Sequence, residues 1–154
     1  MKHNGNIIIE KPAHVVAELF MDPRYLAKYQ EGFERKELIS GQAGKNGAVS
    51  KLYYKHGKRQ MELTETIISN NMPESLKAFY HHKHMDNTMI CKFIPLTDHS
   101  TRYETEVEYT RIDWFLPRFF AILFPNMYKK PAEKWMHNFK DFVENYDLES
   151  DENK

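Results

Sequence analysis

The chain has 154 residues, enough for one sizeable core. Lys plus Arg and Asp plus Glu both total 22, so the formal net charge is zero and no basic excess exists to neutralise a phosphate backbone; nucleic acid is not an expected partner. Cys91 is the only cysteine, which excludes an intrachain disulfide and makes a cytoplasmic location the default; no apolar run approaches the roughly 18 residues of a membrane span, so no stable membrane insertion is expected.

Aromatic residues make up 14% of the chain beside 8 Met, more large and adaptable apolar side chain than a bare core needs, so part of it is expected to line a cavity. The β-branched run Ile7-Ile8-Ile9 predicts a strand and is too short for a signal peptide; Lys11-Pro12 punctuates it and opens a helix. Val15, Val16, Leu19 and Phe20 recur at helical spacing over 13–21, and Asp22-Pro23 ends that helix and starts another through Tyr29.

Period-two patterns fill the middle, cut by turn chemistry at 41–47, His56-Gly57, Asn70-Asn71-Met72-Pro73, Asp86-Asn87 and Pro95-Leu96-Thr97-Asp98. These breaks predict six strands, at 33–40, 48–55, 58–69, 75–84, 88–94 and 101–111, and connections this short allow only antiparallel neighbours. A helical pattern returns at 117–124 and again, after Pro125 and Pro131, in a longer segment to Tyr146. Tyr128, Ala132, Trp135, Met136, Phe139, Phe142, Val143 and Tyr146 fall within an arc of about 120° on that last helix, so one wide face must be buried. Residues 147–154 are mostly acidic and polar and are expected to fray, leaving a single domain at 1–146. Strand, two short helices, six antiparallel strands and a long helix make an α+β chain with a seven-stranded sheet, because the helices do not alternate with strands.

Several segments share an order and spacing: Ile9-Glu10-Lys11-Pro12-Ala13 before a helix ending in Phe20-Met21-Asp22-Pro23, Glu37-Leu38-Ile39-Ser40-Gly41, Met61-Glu62-Leu63-Thr64-Glu65-Thr66-Ile67, Pro73-Glu74-Ser75-Leu76 and Asn138-Phe139-Lys140. On these the chain resembles the START-like superfamily, also called SRPBCC, which includes polyketide cyclase/dehydrase and lipid-transport proteins. The resemblance implies a helix-grip fold: a curved sheet closes around the C-terminal helix and leaves a cavity between them. Members bind lipids, sterols, polyketides or plant hormones there, and a minority are cyclases, dehydratases or hydrolases. Function therefore has to be argued from side chains.

Strand parity predicts an inward set: Leu52 and Tyr54; Met61, Leu63, Glu65 and Ile67; Leu76, Ala78, Tyr80 and His82; Met89, Cys91 and Phe93; Tyr103, Thr105, Val107 and Tyr109. The other parity is charged, with Lys51, Lys55, Glu62, Lys77, Lys92, Arg102, Glu104, Glu106 and Glu108 on a wet face. From the inward set and the helix, the candidate contacts for a small hydrophobic ligand are Leu52, Tyr54, Met61, Leu63, Glu65, Tyr80, His82, Met89, Phe93, Tyr103, Val107, Trp135, Met136 and Phe139. Ordinary core packing is the competing reading for each, because a large concave sheet needs filling with or without a ligand.

Glu65 interrupts an apolar series, and a buried carboxylate needs a partner. It either orients a ligand, serves as a general acid or base with a Tyr or His beside it, or makes a structural bridge at the sheet rim. His81, His82 and His84 raise the thought of a metal, but His-x-His supplies only two ligands and no third is fixed, so no metal is expected. No phosphate loop, nucleophile elbow or zinc-protease motif occurs, so no cofactor is expected and the balance is against an enzyme. The segment 114–124, from Trp114 and Phe115 through to Phe124, is too apolar for a surface connection; it is core over the sheet mouth, a lid, or a patch for a homodimer or a transient membrane contact.

Overall fold

The structure, a computed structural model, describes residues 2–113 and 129–147. The expected helix at 117–124, the apolar segment 114–124, Tyr128 and most of the acidic tail lie outside the described residues. Strand β1 (Lys2–Ile9) leads into helix α1 (Ala13–Met21), a 3-10 turn (Pro23–Tyr25) and the short helix α2 (Leu26–Tyr29). Asp22 makes the corner: its Oδ1 accepts the Arg24 backbone N–H at 3.0 Å, a bond that favours a helix start, and Pro23 follows with its φ already set. Gly32, at φ +84°, then turns the chain into β2, and a Cβ there would lie 2.7 Å from the Lys55 carbonyl oxygen, so only glycine fits.

Strands β2 (Phe33–Ser40), β3 (Val49–His56), β4 (Arg59–Asn71), β5 (Ser75–His82), β6 (Met85–Thr97) and β7 (Ser100–Ile112) form the predicted meander. The seven strands lie in the order β1-β7-β6-β5-β4-β3-β2, all antiparallel, with β1 closing on β7. Helix α3 (Lys129–Glu144) completes the α+β helix-grip arrangement, and its 16 residues span about 24 Å at 1.5 Å per residue.

Three expectations need correction. Strand β1 reaches back to Lys2 instead of starting at Ile7, because β7 is long enough to pair with it from Lys2–Glu108 to Ile9–Thr101. The β5–β6 turn is Lys83-His84, not Asp86-Asn87, so β5 ends at His82. Asp86 has turn chemistry, but Arg111 Nε donates to its Oδ2 at 2.8 Å from the neighbouring strand β7 and holds it within β6. Likewise Pro95, Leu96 and Thr97 stay in β6, with the register shift between Pro95 and Thr97 absorbing the proline, and the turn falls at Asp98-His99.

The core occupies one end of the sheet, where α1 and the second half of α3 meet it. Phe93, Phe139, Ile9, Val16 and Val143 are fully buried there. Phe20 packs edge-on against Phe93 at 5.3 Å and against Phe139 at 5.5 Å, while Phe93 and Tyr103 are 4.9 Å apart. Polar ties fasten α3 at both edges: Lys140 Nζ donates to the Ile8 carbonyl at 2.6 Å, Asn138 Nδ2 to the Tyr29 carbonyl at 3.3 Å, and Lys134 pairs with Glu31 at 2.5 Å.

Candidate functional site

Toward the other end, the concave face of the sheet and the first half of α3 stand apart and enclose a cavity of about 670 Å³. Leu52, Leu63, Ile67, Leu76, Met89 and Val107 line it from the strands, Phe20, Leu26 and Tyr29 from α1 and α2, and Trp135, Met136 and Phe139 from α3. The exposed residues Pro23, Leu38, Ala43 and Lys45 among its lining mark where it reaches the surface, between the α1–α2 corner, β2 and the loop that follows β2.

Register lays a polar row across this apolar wall. Ser50 pairs with Glu65, Glu65 with Tyr80, Tyr80 with Asn87 and Asn87 with Tyr109, so one residue from each of β3 to β7 lies in line, and all five face the cavity. Glu65, 8% exposed, is the one carboxylate among the described lining residues. Its Oε1 accepts from Lys36 Nζ at 2.8 Å and its Oε2 from the Tyr80 hydroxyl at 2.8 Å. Burial, with the Glu65 charge adding to it, pushes the Tyr80 hydroxyl pKa well above its ordinary value, so Tyr80 stays a donor. Tyr54 donates to Gln30 Oε1 at 2.7 Å and stacks on Trp135 at 5.8 Å; burial raises its pKa too. Cys91 is fully buried under the same wall, its thiol pushed up to about 12 by desolvation, which makes it a small apolar filler and not a nucleophile.

No family model and no curated protein sequence matches the chain. Solved structures do match, over nearly its full length. The Zhui aromatase/cyclase of a Streptomyces species superposes with a TM-score of 0.77 at 10% identity, covering 94% of this chain and 93% of that one. A protein from Thermus thermophilus gives 0.74 at 14% identity over 93% and 97% of the two chains. Norcoclaurine synthase from Thalictrum flavum, in complex with dopamine and hydroxybenzaldehyde, gives 0.69 at 17% identity over 96% and 88%. The chain shares the helix-grip fold of these structures.

Within this cavity the structure places Leu52, Tyr54, Leu63, Glu65, Tyr80, Met89, Tyr103, Val107, Trp135, Met136 and Phe139 on the wall. Three expected contacts lie elsewhere. Phe93 points inward but into the aromatic core, 1% exposed. Met61 is opposite Tyr54 near the β3–β4 turn, beyond the cavity, and His82 ends β5 opposite Met85. Of the His-x-His pair, only His82 lies on β5; His84 lies in the turn, where its backbone N–H donates to His82 Nδ1 at 3.2 Å. That bond needs an unprotonated nitrogen, consistent with desolvation, then the neighbouring His84 charge, lowering the His82 pKa. Among the described residues no group of three or more His, Cys, Asp or Glu is arranged to hold a metal.

Lys36, Asn87, Tyr29 and Gln30 are among the wall residues that escaped sequence reading. Lys36 lies on β2 two residues before Leu38, and the same parity that turns Leu38 inward would have found it. Asn87 was hidden by its turn-like pairing with Asp86. Tyr29 follows Leu26 at i, i+3, a one-turn signal too short to show which face is buried, and Gln30 lies just past the end of α2. No helix among the described residues is long and apolar enough to cross a membrane.

Proposed function

We propose that this protein binds a small, mostly apolar molecule, of the lipid, isoprenoid or polyketide-like kind, in the cavity between sheet and α3. The observation that carries the reading is the cavity itself: about 670 Å³, within the 300–1,000 Å³ usual for small-molecule sites, with apolar walls and a single row of polar groups. Solved neighbours with the same fold include an aromatase/cyclase and a synthase holding dopamine and hydroxybenzaldehyde, which supports an aromatic or polycyclic guest. Native mass spectrometry of freshly purified protein tests it. A retained small molecule, or saturable one-to-one binding of a hydrophobic dye, is expected; a protein that arrives empty and binds no dye sinks the reading.

A second reading is favoured by one observation, the convergence of Lys36, Glu65 and Tyr80 on the cavity wall. There Glu65 would move a proton in a cyclisation or dehydration, with Tyr80 holding the reacting oxygen. It ranks second because both Glu65 oxygens already have donors, the arrangement of a fixed carboxylate. If it holds, Glu65→Gln protein retains the unconverted compound, one water heavier than the wild-type guest for a dehydration or its open-chain isomer for a cyclisation; the same compound in both, by mass and by chromatographic retention, rejects it.

A further inference from the structure

Asn87 lies near the start of β6, between Tyr80 on β5 and Tyr109 on β7, and lines the cavity with them. Its inward direction is fixed by the residue before it. Asp86 is clasped by Arg111 and His81, two residues that do not line the cavity, and successive side chains of a strand point to opposite faces. A bulge allows both orientations at once: the register passes from Asp86–Arg111 to Asn87–Tyr109, so Thr110 is the extra residue, and Arg111 reaches the outer face while Tyr109 stays inward. Asn87 gives nothing to the sheet in return. Its carboxamide makes no hydrogen bond to another described residue, and asparagine is a poor strand former. Elsewhere in the polar row Glu65 and Tyr80 hold each other, and Ser50 is only 5% exposed, whereas Asn87 is half-buried. With paired strands on both sides and the side chain turned inward, the surface it keeps belongs to the cavity.

We propose that Asn87 is a specificity-determining contact whose carboxamide hydrogen-bonds a carbonyl or hydroxyl oxygen of the bound molecule, so that the cavity selects an oxygenated polycyclic compound over a hydrocarbon of the same shape. The inference rests on the cavity being a ligand site. A carboxamide carries two N–H donors and an acceptor oxygen, so it serves either kind of oxygen. The Tyr80 hydroxyl, on the residue opposite, donates to Glu65 and so leaves its own oxygen as a second acceptor for a guest hydroxyl. Beside this pair the next row of the wall is apolar, with Ile67, Met89 and Val107 in line across the sheet, which suits the body of the guest. A hydrocarbon lying there would strip water from the carboxamide and offer no partner in exchange, and that loss sets the preference. The polycyclic character follows from the helix side, where Tyr54 and Trp135 lie stacked at an interplanar angle of 13° beside Phe139.

The test titrates wild-type protein and Asn87→Leu, a change that keeps the size of the side chain and removes its polar atoms, with 1-hydroxypyrene and 1-methylpyrene. The two fluorescent probes differ by a hydroxyl in place of a methyl. The readout is the ratio of their dissociation constants, which cancels any effect of the substitution on the shape of the cavity. Wild type is expected to prefer 1-hydroxypyrene, and Asn87→Leu to shrink that preference about tenfold by weakening 1-hydroxypyrene. An unchanged ratio, or a wild type without the preference, overturns the role of Asn87 while the cavity still binds. Failure of both probes on the wild type overturns the ligand-site reading and the inference with it. Because the carboxamide has no partner among the described residues the variant should fold, and an unchanged far-UV spectrum checks this. Asn87→Val, which favours a strand, takes its place in the same titrations if that check fails.

Discussion

A carboxylate largely withdrawn from water has to be neutralised where it stands, and at Glu65 two donors do this. The Glu65 side chain is 10% exposed and that of Lys36 26%, so the pair lies between a surface bridge and a buried one. Removing one partner of a buried pair strands the other. Lys36→Met is therefore expected to destabilise the protein by about 1–3 kcal/mol, below the fully buried case because Lys36 keeps some water. Urea denaturation measures it, and adding Glu65→Gln to Lys36→Met should recover part of the loss. An unchanged midpoint in Lys36→Met would mean that Tyr80 alone satisfies the carboxylate. The presence of this carboxylate was legible, since it breaks an apolar series on one strand; its partners were not, because Lys36 and Tyr80 reach it from two different strands.

Among the elements, the β5–β6–β7 corner shows a distant contact overriding a local signal. Asp86-Asn87 is good turn chemistry, yet Asp86 is clasped by Arg111 and by His81, whose Nδ1 lies 2.6 Å from Oδ1, and Arg111 also pairs with Asp113. These partners lie on separate strands or strand ends, so pairwise sequence spacing gives no hint of them. The Arg111 hydrogen bond, and then His81, holds the Asp86 pKa below its ordinary 3.8. A lowered folded-state pKa stabilises above the unfolded value, and the benefit is lost as pH falls through the folded one. Asp86→Asn should thus be less stable than wild type at neutral pH, with the gap closing below about pH 4. Thermal melts from pH 7 to pH 2 check this, and a gap that persists at pH 2 would assign Asp86 a packing role instead. Elsewhere the elements were well marked: alternation set the strand faces, and the apolar arc of α3 gave its buried side.

At the scale of the whole molecule, α3 is divided along its length. Val143 sits in the core, Trp135 faces the cavity, and Met136 and Phe139 between them belong to both, so the residues that read as one buried face serve two purposes. The boundary could not be seen in the sequence because core and cavity wall call for the same residue types. It has an experimental signature. Leu63→Trp combined with Val107→Trp puts bulk into the cavity and not into packed core, so it should cut hydrophobic-dye binding more than tenfold while costing less than the roughly 1–3 kcal/mol of overpacking a filled core. Dye titration and thermal melting of the same samples decide it, and a large stability loss would argue that the space is smaller than about 670 Å³.

The alternation along the strands has one more consequence. Leu52, Leu63 and Val107 each face the cavity between neighbours, such as Lys51, Glu62 and Glu108, that belong to the wet side of the sheet. Interior and exterior are thus written in separate letters of the same strand. A library randomised at the inward positions alone would alter what the protein holds without altering the face it shows to the solution, and selection could revise guest preference and solubility independently.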